Sequence, residues 1–164
     1  MNVLLKLLVT GAVSTILMIN GPIKTIKKEK HMQAKGTFEV KVNPAETTQI
    51  EKDAGIGRFT IDKKWSGDLA GTSKGSMLTS LVESTGTMAY VALEKVDGKL
   101  GGKSGSFYFT HNATMKKGDA SSGIMKIVVV AGTGTGELTG ISGELKIIID
   151  AKGGHSYIFD YELP

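Results

Sequence analysis

The chain has no cysteine and only three prolines in 164 residues. The first absence excludes disulfides, thiolate metal sites and cysteine nucleophiles, and leaves the cellular compartment open. The second, set beside 22 glycines spread through strand-like segments, points to bends and close backbone approaches rather than a Pro/Gly-rich linker. An excess of charge on the folded part is missing too. The net charge is +4, but Lys6, Lys24, Lys27, Lys28 and Lys30, opposed only by Glu29, account for all of it. From Met32 onward acidic and basic residues balance, so no bulk basic field invites nucleic acid.

Long apolar runs are also scarce. The one candidate, residues 4–19, is interrupted by Lys6 and is short for a spanning helix. It has the look of a signal-peptide core. However, the preceding positive charge is slight, Ile19-Asn20-Gly21-Pro22 is a poor cleavage site, and four lysines follow. Residues 1–31 therefore read as an N-terminal extension, either signal-like or dispensable with Met32 as the effective start. Residues 32–164 read as a single domain. The expected location is cytoplasmic, with export through residues 1–21 as the alternative. No stable membrane insertion of the domain is expected.

From Met32 the dominant pattern is period-two alternation, not a helical stripe. Strands are expected over residues 34–42, 57–65, 69–78, 85–96, 100–115, 124–130, 143–149 and 155–163. Residues 43–53 read as a strand break followed by a polar loop. Asp97-Gly98 between two alternating runs has the chemistry of a two-residue hairpin turn. Gly101, Gly102 and Gly105 suggest a bend or bulge, and the apolar stretch from Ile124 to Val130 suggests a strand buried on both faces or one crossing the barrel bottom. Eight strands without an amphipathic helix predict an all-β fold: a closed, antiparallel eight-stranded barrel, with a two-sheet sandwich as the alternative.

Two glycine-rich segments imitate nucleotide loops and fail on spacing. Gly102-Lys103-Ser104 lacks the earlier glycine of a phosphate loop, because Asp97 stands there. In the segment from Gly132 to Gly136, the third dinucleotide glycine would fall at Thr139, and no helix follows. Asn112-Ala113-Thr114 is a glycosylation triplet inside a strand and carries no weight. His111, His155 and Glu94 could in principle form a two-histidine, one-carboxylate metal set, but no local spacing unites them. No metal or cofactor is expected.

Strand faces give a more specific suggestion. Tyr90, Ala92 and Glu94 share one face. So do Phe107, Phe109, His111, Ala113 and Met115. So do His155, Tyr157, Phe159 and Tyr161, and likewise Phe59, Ile61 and Trp65. Turned inward, these faces would line an apolar cavity with a few polar groups, the usual composition of a small-molecule site. Glu94 is then the candidate general base, its pKa expected to be raised by desolvation. Tyr90 and His111 would orient or polarise the substrate. Trp65, Phe107, Phe109, His155 and Tyr157 are the candidate ligand-binding residues. Two other readings stay open: an inward Glu can be a satisfied core group, and the aromatics can be packing.

Several motifs occur in a characteristic order. They run Trp65-x-Gly67-Asp68-Leu69, then Tyr90-x-Ala92-x-Glu94, then Gly98-x-Leu100-x-Gly102-Lys103-x-Gly105-Ser106-Phe107 leading to His111 and Met115. Gly134-Thr135-Gly136-Glu137-Leu138-x-Gly140-Ile141-x-Gly143 and His155-x-Tyr157 complete the set. In this combination the chain, from Met32 to Leu163, resembles a bacterial family of unknown function that is similar in fold to allene oxide cyclase and dirigent proteins. That resemblance implies a calycin-like barrel, often trimeric, that guides reactive small molecules without a cofactor; it carries over no catalytic set. The expected function is binding of a small, largely apolar molecule in the interior, with cofactor-free proton-transfer chemistry of an isomerase, cyclase or lyase kind. The alternatives are a non-enzymatic carrier and a structural barrel with a filled core. Whether the protein is an enzyme, and whether it forms a homo-oligomer, stay open.

Overall fold

A computed structural model of the chain describes residues 30–164. The apolar run at 4–19 and the choice between signal and dispensable extension lie outside the described residues. Eight strands follow in chain order: β1 (Lys30–Pro44), β2 (Ile56–Gly67), β3 (Leu69–Val82), β4 (Thr87–Leu100), β5 (Lys103–Lys116), β6 (Asp119–Val129), β7 (Ser142–Ile149) and β8 (His155–Leu163). Each pairs antiparallel with the next, and β1 pairs with β8 from Lys30↔Leu163 to Phe38↔His155. The sheet is thus a closed up-and-down barrel, and closure removes the exposed edges of an open sheet.

The barrel has two unlike ends. The lower end carries the Gly67-Asp68 turn, the β4–β5 turn and the segment 130–141. Leu69, Leu100, Phe107, Phe159, Leu138 and Ile141 are buried there. Phe107, Phe109 and Phe159 meet at ring-centroid distances of 5.0–6.0 Å. Tyr157 fills space that Gly36 leaves open, since a Cβ at Gly36 would lie 2.6 Å from the Tyr157 hydroxyl. That hydroxyl accepts a hydrogen bond from the Leu69 amide at 2.8 Å, and the Asp68 carboxylate accepts one from the Lys35 amide at 2.8 Å. The Trp65-x-Gly67-Asp68-Leu69 motif is therefore a turn pinned by an aromatic residue from β8.

The Gly-Thr-Gly segment has a comparable structural task. Thr133 and Thr135 accept, through their hydroxyls, hydrogen bonds from the amides of Tyr108 and Ser106 at 3.1 and 2.9 Å. Glu137 accepts one from the Ser104 amide at 2.9 Å. These side chains satisfy the edge of β5 where β6 has ended, and they hold Leu138 and Ile141 as a plug beneath the barrel.

Three local expectations are corrected. Asp97-Gly98 is not a turn: both residues lie within β4, paired with Ser106 and Gly105. The turn is Gly101-Gly102, whose φ angles of +56° and +85° supply the positive values a two-residue hairpin needs. The expected polar loop contains one turn of helix, α1 (Gln49–Asp53). It is started by a capping box in which Thr48 and Glu51 exchange hydrogen bonds, and Arg58 pairs with Glu51. β6 is not buried on both faces, because Ile124 is 80% exposed.

Candidate functional site

On β2, inward positions recur every second residue, at Ile61, Lys63 and Trp65, and all three are buried. A lysine thus occupies a core position between two apolar residues. β3 contributes Ser73, β4 contributes Glu94 and β5 contributes His111, each inward by the same parity and each buried. Register places Gly75 opposite Glu94. A Cβ at Gly75 would fall 2.9 Å from the Glu94 Cα, so this glycine permits the close strand approach beside the carboxylate.

Glu94 is fully buried and is the hub of the cluster. Its Oε2 accepts a hydrogen bond from Lys63 Nζ at 2.7 Å. Its Oε1 accepts one from the Ser73 hydroxyl, and Ser73 in turn accepts one from Trp65 Nε1 at 2.8 Å. His111 Nε2 lies 2.9 Å from Oε2, in close contact without the geometry of a regular hydrogen bond. The Lys63 ammonium also stands 4.9 and 5.0 Å from the ring centroids of Phe38 and Trp65, within the range of cation–π attraction.

These contacts reverse one expectation. Burial by itself would raise the Glu94 pKa. The contact with His111 and the charge of Lys63 overcome it and lower the value to about 2. Glu94 is therefore ionised at neutral pH, and a carboxylate so stabilised is a weak base. Lys63 shifts the other way relative to its charge: burial lowers its pKa, and Glu94 only partly compensates. The asymmetry follows from the partners, because both His111 and Lys63 act on Glu94, whereas Glu94 alone acts on the ammonium. Burial raises the Tyr90 pKa, and the Glu94 charge adds to it.

Above this cluster the interior opens into a cavity of about 210 Å³. Its walls include Val40, Ile61, Met77, Met88, Met125 and Ile147, and its polar lining includes Lys63, Tyr90, His111, His155 and Thr79. The upper inward side chains of Met77, Met88, Tyr90 and Met125 are only part-buried. The sequence-selected residues thus divide into two groups. Tyr90, His111 and His155 line the cavity, with Glu94 sealed just beneath. Trp65, Phe107, Phe109 and Tyr157 are packed in the lower core. His155 packs against Phe38 in a tilted arrangement at 5.0 Å and makes no ion pair with Glu94. Among the described residues no group of three or more His, Asp or Glu converges to hold a metal.

Sequence reasoning missed Lys63 and Ser73. The signal was available for Lys63, which shares the parity of Ile61 and Trp65. An alternation read only through apolar positions passes over a charged residue at the same spacing.

Residues 34–161 match the model of a protein family of unknown function, DUF3224. The chain belongs to this family. A solved structure of a DUF3224 protein of unknown function from Shewanella oneidensis MR-1 is 35% identical to it, with a TM-score of 0.72. The match covers 82% of this chain and 98% of that one. No curated protein matches. Family membership therefore agrees with the barrel and leaves its activity to be argued from the site.

Proposed function

We propose that the upper half of the barrel binds a small, neutral, largely apolar molecule bearing one hydrogen-bond acceptor. The observation that carries this reading is the part-exposed apolar wall standing over a buried Lys63–Glu94–His111 cluster. An apolar cavity of ~150 Å³ accepts benzene, so about 210 Å³ suits a somewhat larger body. Methionines at three wall positions offer flexible, polarisable contacts that adapt to ligand shape. An eight-stranded up-and-down barrel is an architecture that elsewhere encloses one small ligand. The resemblance to allene oxide cyclase and other calycin-like barrels supports the same use of the interior.

Charge selects the ligand class. Lys63 is already neutralised by Glu94 at 2.7 Å. A ligand carboxylate would bring a second negative charge beside Glu94 and lose its own hydration. A neutral carbonyl or hydroxyl oxygen can accept from Lys63 or Tyr90 without that cost. In this reading Glu94 is the counter-ion that holds Lys63 in place, and not the proton-abstracting base.

Trp65, the single tryptophan, lies beneath Lys63 and provides the readout. Hexanol should alter Trp65 emission saturably and raise the melting temperature, and hexanoate should do so much more weakly. Identical, non-saturable responses to both, or none, would remove the binding proposal.

A further inference from the structure

We propose that Lys63 captures small aldehydes or ketones covalently, as a protonated imine held against Glu94. This rests on the cavity being a binding site and adds the chemistry of its floor. Lys63 is the one buried lysine among the described residues, and it lines the cavity. Its single hydrogen bond, to Glu94, uses one of three N–H groups. A carbonyl oxygen entering from above can accept another, which sets its carbon beside the nitrogen.

The reaction balances within the site. The ammonium gives up a proton, and its lone pair forms a C–N bond as the carbonyl oxygen takes up the proton. The resulting carbinolamine loses its hydroxyl as water, with a second nitrogen proton leaving on that water. Ammonium plus carbonyl thus gives iminium plus water, with one positive charge before and after. Glu94 remains paired throughout, and the iminium keeps the flanking faces of Phe38 and Trp65. The apolar wall disfavours the water needed for the return hydrolysis. Burial, which lowers the Lys63 pKa, supports the first step by easing deprotonation. Tyr90 on β4 and His111 on β5 line the same cavity.

The test treats the full chain with hexanal and cyanoborohydride, then maps the secondary-amine products by mass spectrometry. Lys63 should be modified several-fold faster than its exposed neighbour Lys64, and hexanol should protect Lys63 without protecting Lys64. The K63R variant, which retains the charge opposite Glu94, should lose the fast product and keep the slow surface labelling. Labelling of Lys63 no faster than that of Lys64, or unaffected by hexanol, would overturn the proposal. If hexanol still perturbs Trp65 emission while Lys63 stays unlabelled, the cavity binds without covalent capture, and only the imine is rejected. If hexanol perturbs nothing, the binding reading fails and the imine with it.

Discussion

The lower and upper halves of the barrel are built from the same eight strands with the same inward parity, yet one is solid and the other hollow. Below, glycines at inward positions bring backbones close, and rings from β2, β5 and β8 fill what remains. Above, the inward residues include slender methionines and β-branched aliphatics that leave a cavity between them. The polar cluster sits at the boundary, where the packed core ends and a ligand can begin. The cavity is thus placed by side-chain volume along the strands rather than by any change of fold.

The largest expected effect compares deletions in the two halves. Phe159 is fully buried in the lower core, so Phe159→Ala should cost about 3–5 kcal/mol. Met88 is part-buried on the cavity wall, and Met88→Ala should cost about 1 kcal/mol or less. Urea midpoints at unchanged slope measure both. Equal costs would mean that the upper half is packed as tightly as the lower.

At the boundary, Glu94→Gln leaves Lys63 buried without its counter-ion and should cost on the order of 3 kcal/mol. Adding Lys63→Met to that variant should recover part of the loss, because no unpaired charge then remains. A double variant as unstable as the sum of its parts would show that the two groups are not coupled.

The same pair sets the pH response. Glu94 has a folded pKa of about 2 against an ordinary value of 4.5. Its contribution is fully present above pH 4.5 and is lost as pH falls toward 2, a change of about 3 kcal/mol. Lys63 has a folded pKa below its ordinary 10.5, so the folded state binds fewer protons just below that pH. Stability therefore also rises there with increasing pH. Acid titration of unfolding should show the Glu94 slope in the wild-type chain and lose it in Glu94→Gln. A slope unchanged by the substitution would assign it to other carboxylates.

Much of this was legible in the sequence because β alternation is local. Parity alone turned Glu94, Tyr90 and His111 inward. It also applied to Lys63, where charge hid the pattern. The Asp97-Gly98 turn was misplaced because turn chemistry competes with register: Gly71 and Gly105 flank Gly98 on the two neighbouring strands, and the strand runs on to the Gly101-Gly102 pair. The helix at 49–53 announced itself only through Thr48 and Glu51, in a segment too short for periodicity. The division between Phe107 in the core and His155 in the cavity was not legible. It depends on how far up the closed barrel each residue stands, and closure of β1 on β8 joins residues more than a hundred positions apart.

The smallest expected effect concerns dynamics rather than stability. Among the described residues β6 and β7 pair at two positions, Ile127↔Leu145 and Val128↔Glu144, toward the lower end. Above them lies a cleft of about 430 Å³. Met125, Ile147 and Ile149 line both this cleft and the central cavity, so the seam adjoins the proposed ligand. β7 remains paired with β8 along its whole length. Its amides turned toward β8 should therefore be protected from hydrogen exchange, and those turned toward β6 above Leu145 should exchange rapidly. Hexanol bound in the cavity would lie against Met125 and Ile147, and it should slow exchange at the β6-facing amides without altering those facing β8. Protection that is uniform along β7, or indifferent to hexanol, would separate the seam from the cavity and confine the hollow half to its upper mouth.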